Sequence, residues 1–144
     1  MVREKHVADR DKKLGVAMTC SDWRLHQPKV DFNRQIGQAM GVAGVDLVAL
    51  PGPDGLLLAS RGGEWKAAQA QVKLLAEAHD AVAISVVAHQ KCAGHAVDDA
   101  QHDKDVAEAA RALKEALGFG GPVYALVATY KSDSDWGLKE VGRF

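Results

Sequence analysis

The chain has little cysteine, little net charge and no long apolar run, and each shortage excludes a class of protein. Two cysteines in 144 residues cannot build a disulfide framework. They stand at Cys20 and Cys92, too far apart for a Cys-x-x-Cys redox motif. A formal net charge of −1 provides no general attraction to nucleic acid or to an acidic membrane surface. No apolar run reaches the roughly 18 residues of a membrane-spanning helix. Residues 1–13, MVREKHVADRDKK, are charged and lack the apolar core of a secretory signal. There is no internal repeat, no low-complexity segment and no Gly-x-x-x-x-Gly-Lys phosphate loop. The expectation is a soluble, cytoplasmic protein with neither a nucleic-acid nor a membrane partner. Residues 1–144 are read as one domain, with residues 1–13 as a loose arm.

What remains is ordinary globular composition, 47% hydrophobic and 26% charged, arranged in alternating patterns. LGVAMT (14–19), VDLVAL (45–50), AVAISVVA (81–88) and PVYALVATY (122–130) are short continuous apolar runs, as expected of strands buried on both faces. Between them lie helical patterns. Residues 29–44 carry Phe32, Ile36, Met40 and Val42, with Asp31 as a cap and Gly44 as a stop. Residues 64–79 are alanine-rich. Residues 97–118 carry a stripe of Val106, Ala109, Ala110, Leu113 and Leu117, with Gly118 as the terminating cap. PGPDG (51–55) reads as a loop, and residues 131–144 as a turn and a short final segment. This order predicts an α/β fold with a mainly parallel central sheet of about four or five strands and helices on both faces.

Reactive side chains gather where two strands end. CSDWR (20–24) follows the first run and HQKCAGH (89–95) follows the third. In open α/β sheets, sites form beyond the carboxyl ends of strands where the strand order reverses. If these two strands are neighbours, Cys20, His89 and Cys92 meet there. Two thiolates and an imidazole suit zinc, and a three-residue set leaves the fourth position open, as catalytic zinc requires. The alternative is a buried histidine beside inert thiols. Asp22 and Arg24, next to Cys20, are either part of the site or a surface ion pair worth under about 1 kcal/mol.

These residues resemble the β-class carbonic anhydrases, whose signatures are Cys-x-Asp-x-Arg after the first strand and His-x-x-Cys after a later one. The resemblance covers residues 14–130. It implies that Cys20, His89 and Cys92 bind Zn2+ and that Asp22 and Arg24 form a catalytic dyad beside it. The implied activity is reversible hydration of carbon dioxide to bicarbonate by zinc-activated water. It also implies a homodimer or higher homo-oligomer, and a closed state in which Asp22 moves onto the metal. Relatives of the family hydrolyse carbonyl sulfide or carbon disulfide, and a zinc scaffold without activity is a third reading.

The chain departs from the family pattern in three places. LPGPDGLLL (50–58) stands where an Arg-Asn-Ala-Gly-Asn type segment is usual, Ala93 replaces a glycine, and Trp23 fills a slot usually small or polar. The bulk of Trp23 is expected to narrow the pocket or pack at an interface. His95 and His26 are candidate proton shuttles or surface residues. Gln90 and Lys91 are expected to be solvated. Trp65 and Trp136 are read as candidates for either a dimer surface or ordinary packing.

Overall fold

A computed structural model describes residues 12–58 and 62–144. The arm expected over residues 1–13 lies outside the described residues except for its last two. Nine elements follow one another: β1 (Leu14–Cys20), α1 (Phe32–Met40), β2 (Gly44–Leu50), α2 (Pro53–Leu58), α3 (Gly62–Ala78), β3 (Ala83–His89), α4 (Asp99–Leu117), β4 (Val123–Ser132) and β5 (Asp135–Arg143). They build the expected α/β fold. The sheet has five strands in the order β2-β1-β3-β4-β5, parallel except for β5.

Alternation along the strands divides the core into two layers. Val16 and Met18, Ile84 and Val86, and Ala125 and Val127 face α3 and α4, where they meet Val72, Val106, Ala109 and Leu113. Ala17, Ala83, Val87 and Leu126 face the other way, toward Phe32, Ile36 and Met40 of α1. Every residue of β3 is buried, because it has a strand on each side and helices on each face. Two alanines on the inner face of α4, Ala109 and Ala110, are fully buried and allow that helix to lie close to the sheet.

The helix ends show where local chemistry matched the expectation. Asp98 caps α4, accepting a hydrogen bond from the Gln101 backbone N–H at 2.8 Å, and Gly118 ends it in the left-handed conformation. In α1 the expected signals are displaced. Asp31 occupies the N-cap position but makes no side-chain cap bond, and the stop is Gly41 at φ 67°, three residues before Gly44, which instead opens β2. PGPDG is not wholly a loop: Pro53 begins the short helix α2, consistent with the preference for proline in a first helical turn. The tail is longer and more regular than expected. It forms β5, paired antiparallel with β4 through the turn at Asp133 and Ser134.

The strand order places the site. From β1 the chain crosses to β2 on one side, and later returns to β3 on the other. The order therefore reverses between β1 and β3, which opens a crevice beyond their carboxyl ends. Cys20 is the last residue of β1 and His89 is the last of β3.

Candidate metal centre

The two sulfurs and the imidazole meet in that crevice. Cys20 Sγ lies 3.9 Å from Cys92 Sγ, and both cysteines are buried and free of any disulfide. Donor atoms of Cys20, His89 and Cys92 all lie within 4.8 Å of one another. Cys92 reaches this point through a tight turn after β3, with Lys91 in the left-handed region at φ 57°. Gly52, at the head of α2, directs its backbone N–H at Cys20 Sγ at 3.5 Å. A Cβ on Gly52 would stand 2.7 Å from the Gly94 carbonyl carbon, so the 51–55 and 92–95 segments interlock only because glycine lies at their crossing.

His89 is held as a metal ligand is held. Its Nδ1 donates to the Gln90 carbonyl at 2.8 Å, which leaves Nε2 as the unprotonated nitrogen. That Nε2 is buried and has no hydrogen-bond partner among the described residues. A buried lone pair without a partner costs about 1–3 kcal/mol. Beside two sulfurs, it fits a thiolate- and imidazole-binding ion such as zinc. The electrostatics agree. The hydrogen bond from Cys92 pulls the Cys20 thiol well below its usual range, against the opposing effect of burial, with help from His89 and the Gly52 N–H. Cys92 is pushed up by that same bond and by burial. Burial works against a charged His89, but the neighbouring Cys20 outweighs it and the net shift is upward.

Asp22 and Arg24 flank the trio. The Arg24 guanidinium forks onto Asp22, with Nη2 donating to Oδ2 at 2.7 Å and Nε to Oδ1 at 3.1 Å, and the Arg24 backbone N–H adds a bond to Oδ1 at 2.9 Å. These bonds hold the Asp22 carboxyl below the usual carboxylate range. Asp22 Oδ2 comes within 3.8 Å of His89 Nε2. Arg24 is anchored in turn by the Lys91 carbonyl at 2.9 Å, and its guanidinium lies 5.4 Å from the Trp136 ring centroid.

Further residues named from the sequence fall in and around the site, some as expected and some not. Trp23 is 67% exposed, so it does not narrow the crevice. Trp136 is buried, edge-on to His89 with ring centroids 5.6 Å apart, because β5 carries it back over the site. Its only signal was the alternation of Trp136 and Leu138 in a polar tail. Gln90 is not simply solvated: its side-chain oxygen accepts the Tyr130 backbone N–H at 2.9 Å. Lys91 is exposed, with Nζ 4.0 Å from the Tyr130 ring centroid. His26 Nε2 donates to the Cys20 carbonyl at 2.8 Å and so fastens the end of β1. His95 is partly buried and hydrogen-bonds Asp105 at 2.6 Å. Gly52 was missed as a contributor to the site because PGPDG carries only turn signals.

No described helix is long and apolar enough to cross a membrane. Curated proteins provide no match to the sequence. One family model, described as putative carbonic anhydrase, matches residues 10–139 and so includes all of Cys20, Asp22, Arg24, His89 and Cys92. With that match spanning most of its length, the chain belongs to the putative carbonic anhydrase family.

Proposed function

We propose that the protein is a zinc lyase that interconverts carbon dioxide and bicarbonate at the crevice between β1 and β3. The observation that carries this reading is the unpartnered Nε2 of His89 facing two buried sulfurs, with a carboxylate held to one side. Cys20, His89 and Cys92 would hold the ion. Zinc, when bound, supplies a Lewis acid that makes water acidic enough to give up a proton near neutral pH.

The chain's own residues do the rest. Arg24 occupies both oxygens of Asp22 and keeps it ionised. Asp22 accepts a hydrogen bond from the attacking water and fixes its orientation toward the carbon of carbon dioxide. The water oxygen forms the new bond, one proton leaves to solvent, and bicarbonate results. Trp136 contributes an apolar wall against His89 that limits water around a small uncharged substrate. While Arg24 grips Asp22, the carboxylate is kept from the metal position, which corresponds to an open site.

Carbonyl sulfide and carbon disulfide remain the neighbouring substrates. Exposure of Trp23 removes one of the two features that favoured them. We also propose a homodimer in a reducing cytoplasm, where the free Cys20 and Cys92 stay available as thiols. The test is zinc content and stopped-flow carbon dioxide hydration on one sample, with carbonyl sulfide as a parallel substrate. Bicarbonate formation that disappears in Cys20→Ser and His89→Ala supports the proposal. A fully zinc-loaded protein with no turnover overturns it in favour of a scaffold. Faster sulfide release than carbon dioxide turnover overturns it in favour of the hydrolase. Light scattering of the loaded protein decides the oligomeric state.

A further inference from the structure

A second cluster of ligand-type side chains lies behind the first, and neither Asp22, Arg24 nor the two thiols belongs to it. Asp54 from α2, His95 from the 92–95 segment, and His102 and Asp105 from α4 converge between those elements. His102 Nδ1 donates to Asp54 Oδ2 at 2.8 Å. His95 Nε2 donates to Asp105 Oδ2 at 2.6 Å and stands 3.9 Å from Asp54 Oδ2. Asp54 and His102 are fully buried, and Asp105 nearly so. We propose that Asp54, His95 and His102, supported by Asp105, form a second divalent-metal site of nitrogen and oxygen donors, distinct from the thiolate centre.

Three observations carry the inference. First, His102 repeats the signature of His89. Its Nδ1 proton is committed to a carboxylate, and its Nε2 is buried with no partner among the described residues. A carboxylate that fixes the tautomer and orientation of an imidazole is the usual support of a metal-ligating histidine. Second, hydrogen bonds alone leave the cluster incomplete. The one proton on His95 Nε2 serves Asp105 and cannot also serve Asp54, and Asp54 Oδ1 is a second buried atom without a partner. Third, no lysine or arginine among the described residues pairs with Asp54 or Asp105; their side-chain partners are imidazoles and the Gln101 amide, which leaves room beside them for a divalent cation.

The donors are close enough for one ion. Atoms of Asp54, His95 and His102 lie within 4.8 Å of one another, so modest side-chain movement brings them to the spacing of about 3.5 Å between donors of one tetrahedral ion. Imidazole with carboxylate and no sulfur selects a borderline ion of the Zn2+ or Co2+ type over Mg2+ or Ca2+, which prefer oxygen alone. Such an ion would tie α2 to α4 through the two segments that support the sulfurs. Gly52 N–H reaches Cys20 Sγ from one segment, and the other segment begins with Cys92 itself.

The test is an anaerobic Co2+ titration of the whole chain, followed by absorption, with bound metal counted by elemental analysis. Cobalt on thiolates gives a charge-transfer band, whereas cobalt on nitrogen and oxygen gives ligand-field bands only. The expected result is an equivalent that binds without charge transfer, persists in Cys20→Ser, and is lost in Asp54→Asn and His95→Gln while circular dichroism shows both folded. The partly exposed His95 supplies the variant that avoids a core substitution. A wild-type chain with no such equivalent under saturating Co2+ overturns the proposal, as does its retention in both Asp54→Asn and His95→Gln. The charge-transfer band is read separately, so failure of the thiolate centre and failure of the second site remain distinguishable.

Discussion

Arg24 grips Asp22 through a planar fork, 2.7 Å from Nη2 to Oδ2 and 3.1 Å from Nε to Oδ1, and thereby fixes a carboxylate 3.8 Å from the free nitrogen of His89. The two side chains are only two positions apart, and the backbone N–H of Arg24 joins the grip. The pair is partly buried, at 18% and 15% side-chain exposure, so water screens it less than a surface pair.

Arg24→Ala releases Asp22 and is expected to reduce carbon dioxide hydration by about 10–100-fold with zinc retained, as for other groups that orient a metal site. Arg24→Lys keeps the charge but cannot fork, and recovers only part of the loss. Steady-state hydration with zinc content measured on the same samples checks both. Full activity in Arg24→Lys would show that charge alone suffices.

Replacing a ligand has a different outcome. Cys20→Ser, His89→Ala and Cys92→Ser each lose zinc, and each loses the rise in melting temperature that added zinc gives the parent chain. Differential scanning calorimetry with and without zinc makes the comparison. A zinc-dependent rise that survives in all three variants, with the second cluster disabled by Asp54→Asn, contradicts the assignment.

Metal uptake is expected to release protons. In the metal-free protein the bond to Cys20 and burial push the Cys92 thiol up. An ion takes only thiolate and neutral imidazole. Cys92, with its raised pKa, therefore gives up a proton on binding, whereas Cys20, already drawn down, contributes least. Apparent zinc affinity should rise as pH increases from about 6 to 8. Titration calorimetry in buffers of different ionisation enthalpy counts the protons, and an affinity that is flat with pH would refute the account.

Gly52→Ala probes the crossing of the two supporting segments. Its φ of 54° and the approach of a Cβ to 2.7 Å from Gly94 leave no room for a side chain. The substitution is expected to cost about 1–3 kcal/mol by chemical denaturation. It should also weaken zinc binding, because the N–H that supports Cys20 moves away.

Much of this was legible from residue order. β1, β3 and β4 are continuous apolar runs, the pattern of strands buried on both faces; β2 reads the same way in sequence but lies at the sheet edge, with Val48 its one buried residue. The candidate ligands were legible because Cys-x-Asp-x-Arg and His-x-x-Cys each follow such a run. β5 was not, since DWGLKEVGR mixes exposed charge with a single buried tryptophan, and an edge strand needs apolar residues on one face only. The Asp54 cluster was hidden for a related reason. Its members come from a short helix, a loop and a long helix, and only the sheet's return path brings them together. Within α4, His102 and Asp105 read as part of a polar face, although both are buried.

The seating of the candidate ligands at the ends of β1 and β3 also bears on the order of events as the chain folds. Cys20 and Cys92 are 72 positions apart, and α1, β2, α2 and α3 all intervene. Pairing β1 with β3 closes that long loop, which is entropically costly and slow compared with local helix formation. The trio therefore exists only after the central pairing is complete. An ion bound there arrives late, as a lock on a nearly finished sheet, and its effect falls on the rate at which β1 and β3 separate more than on the rate at which they first meet.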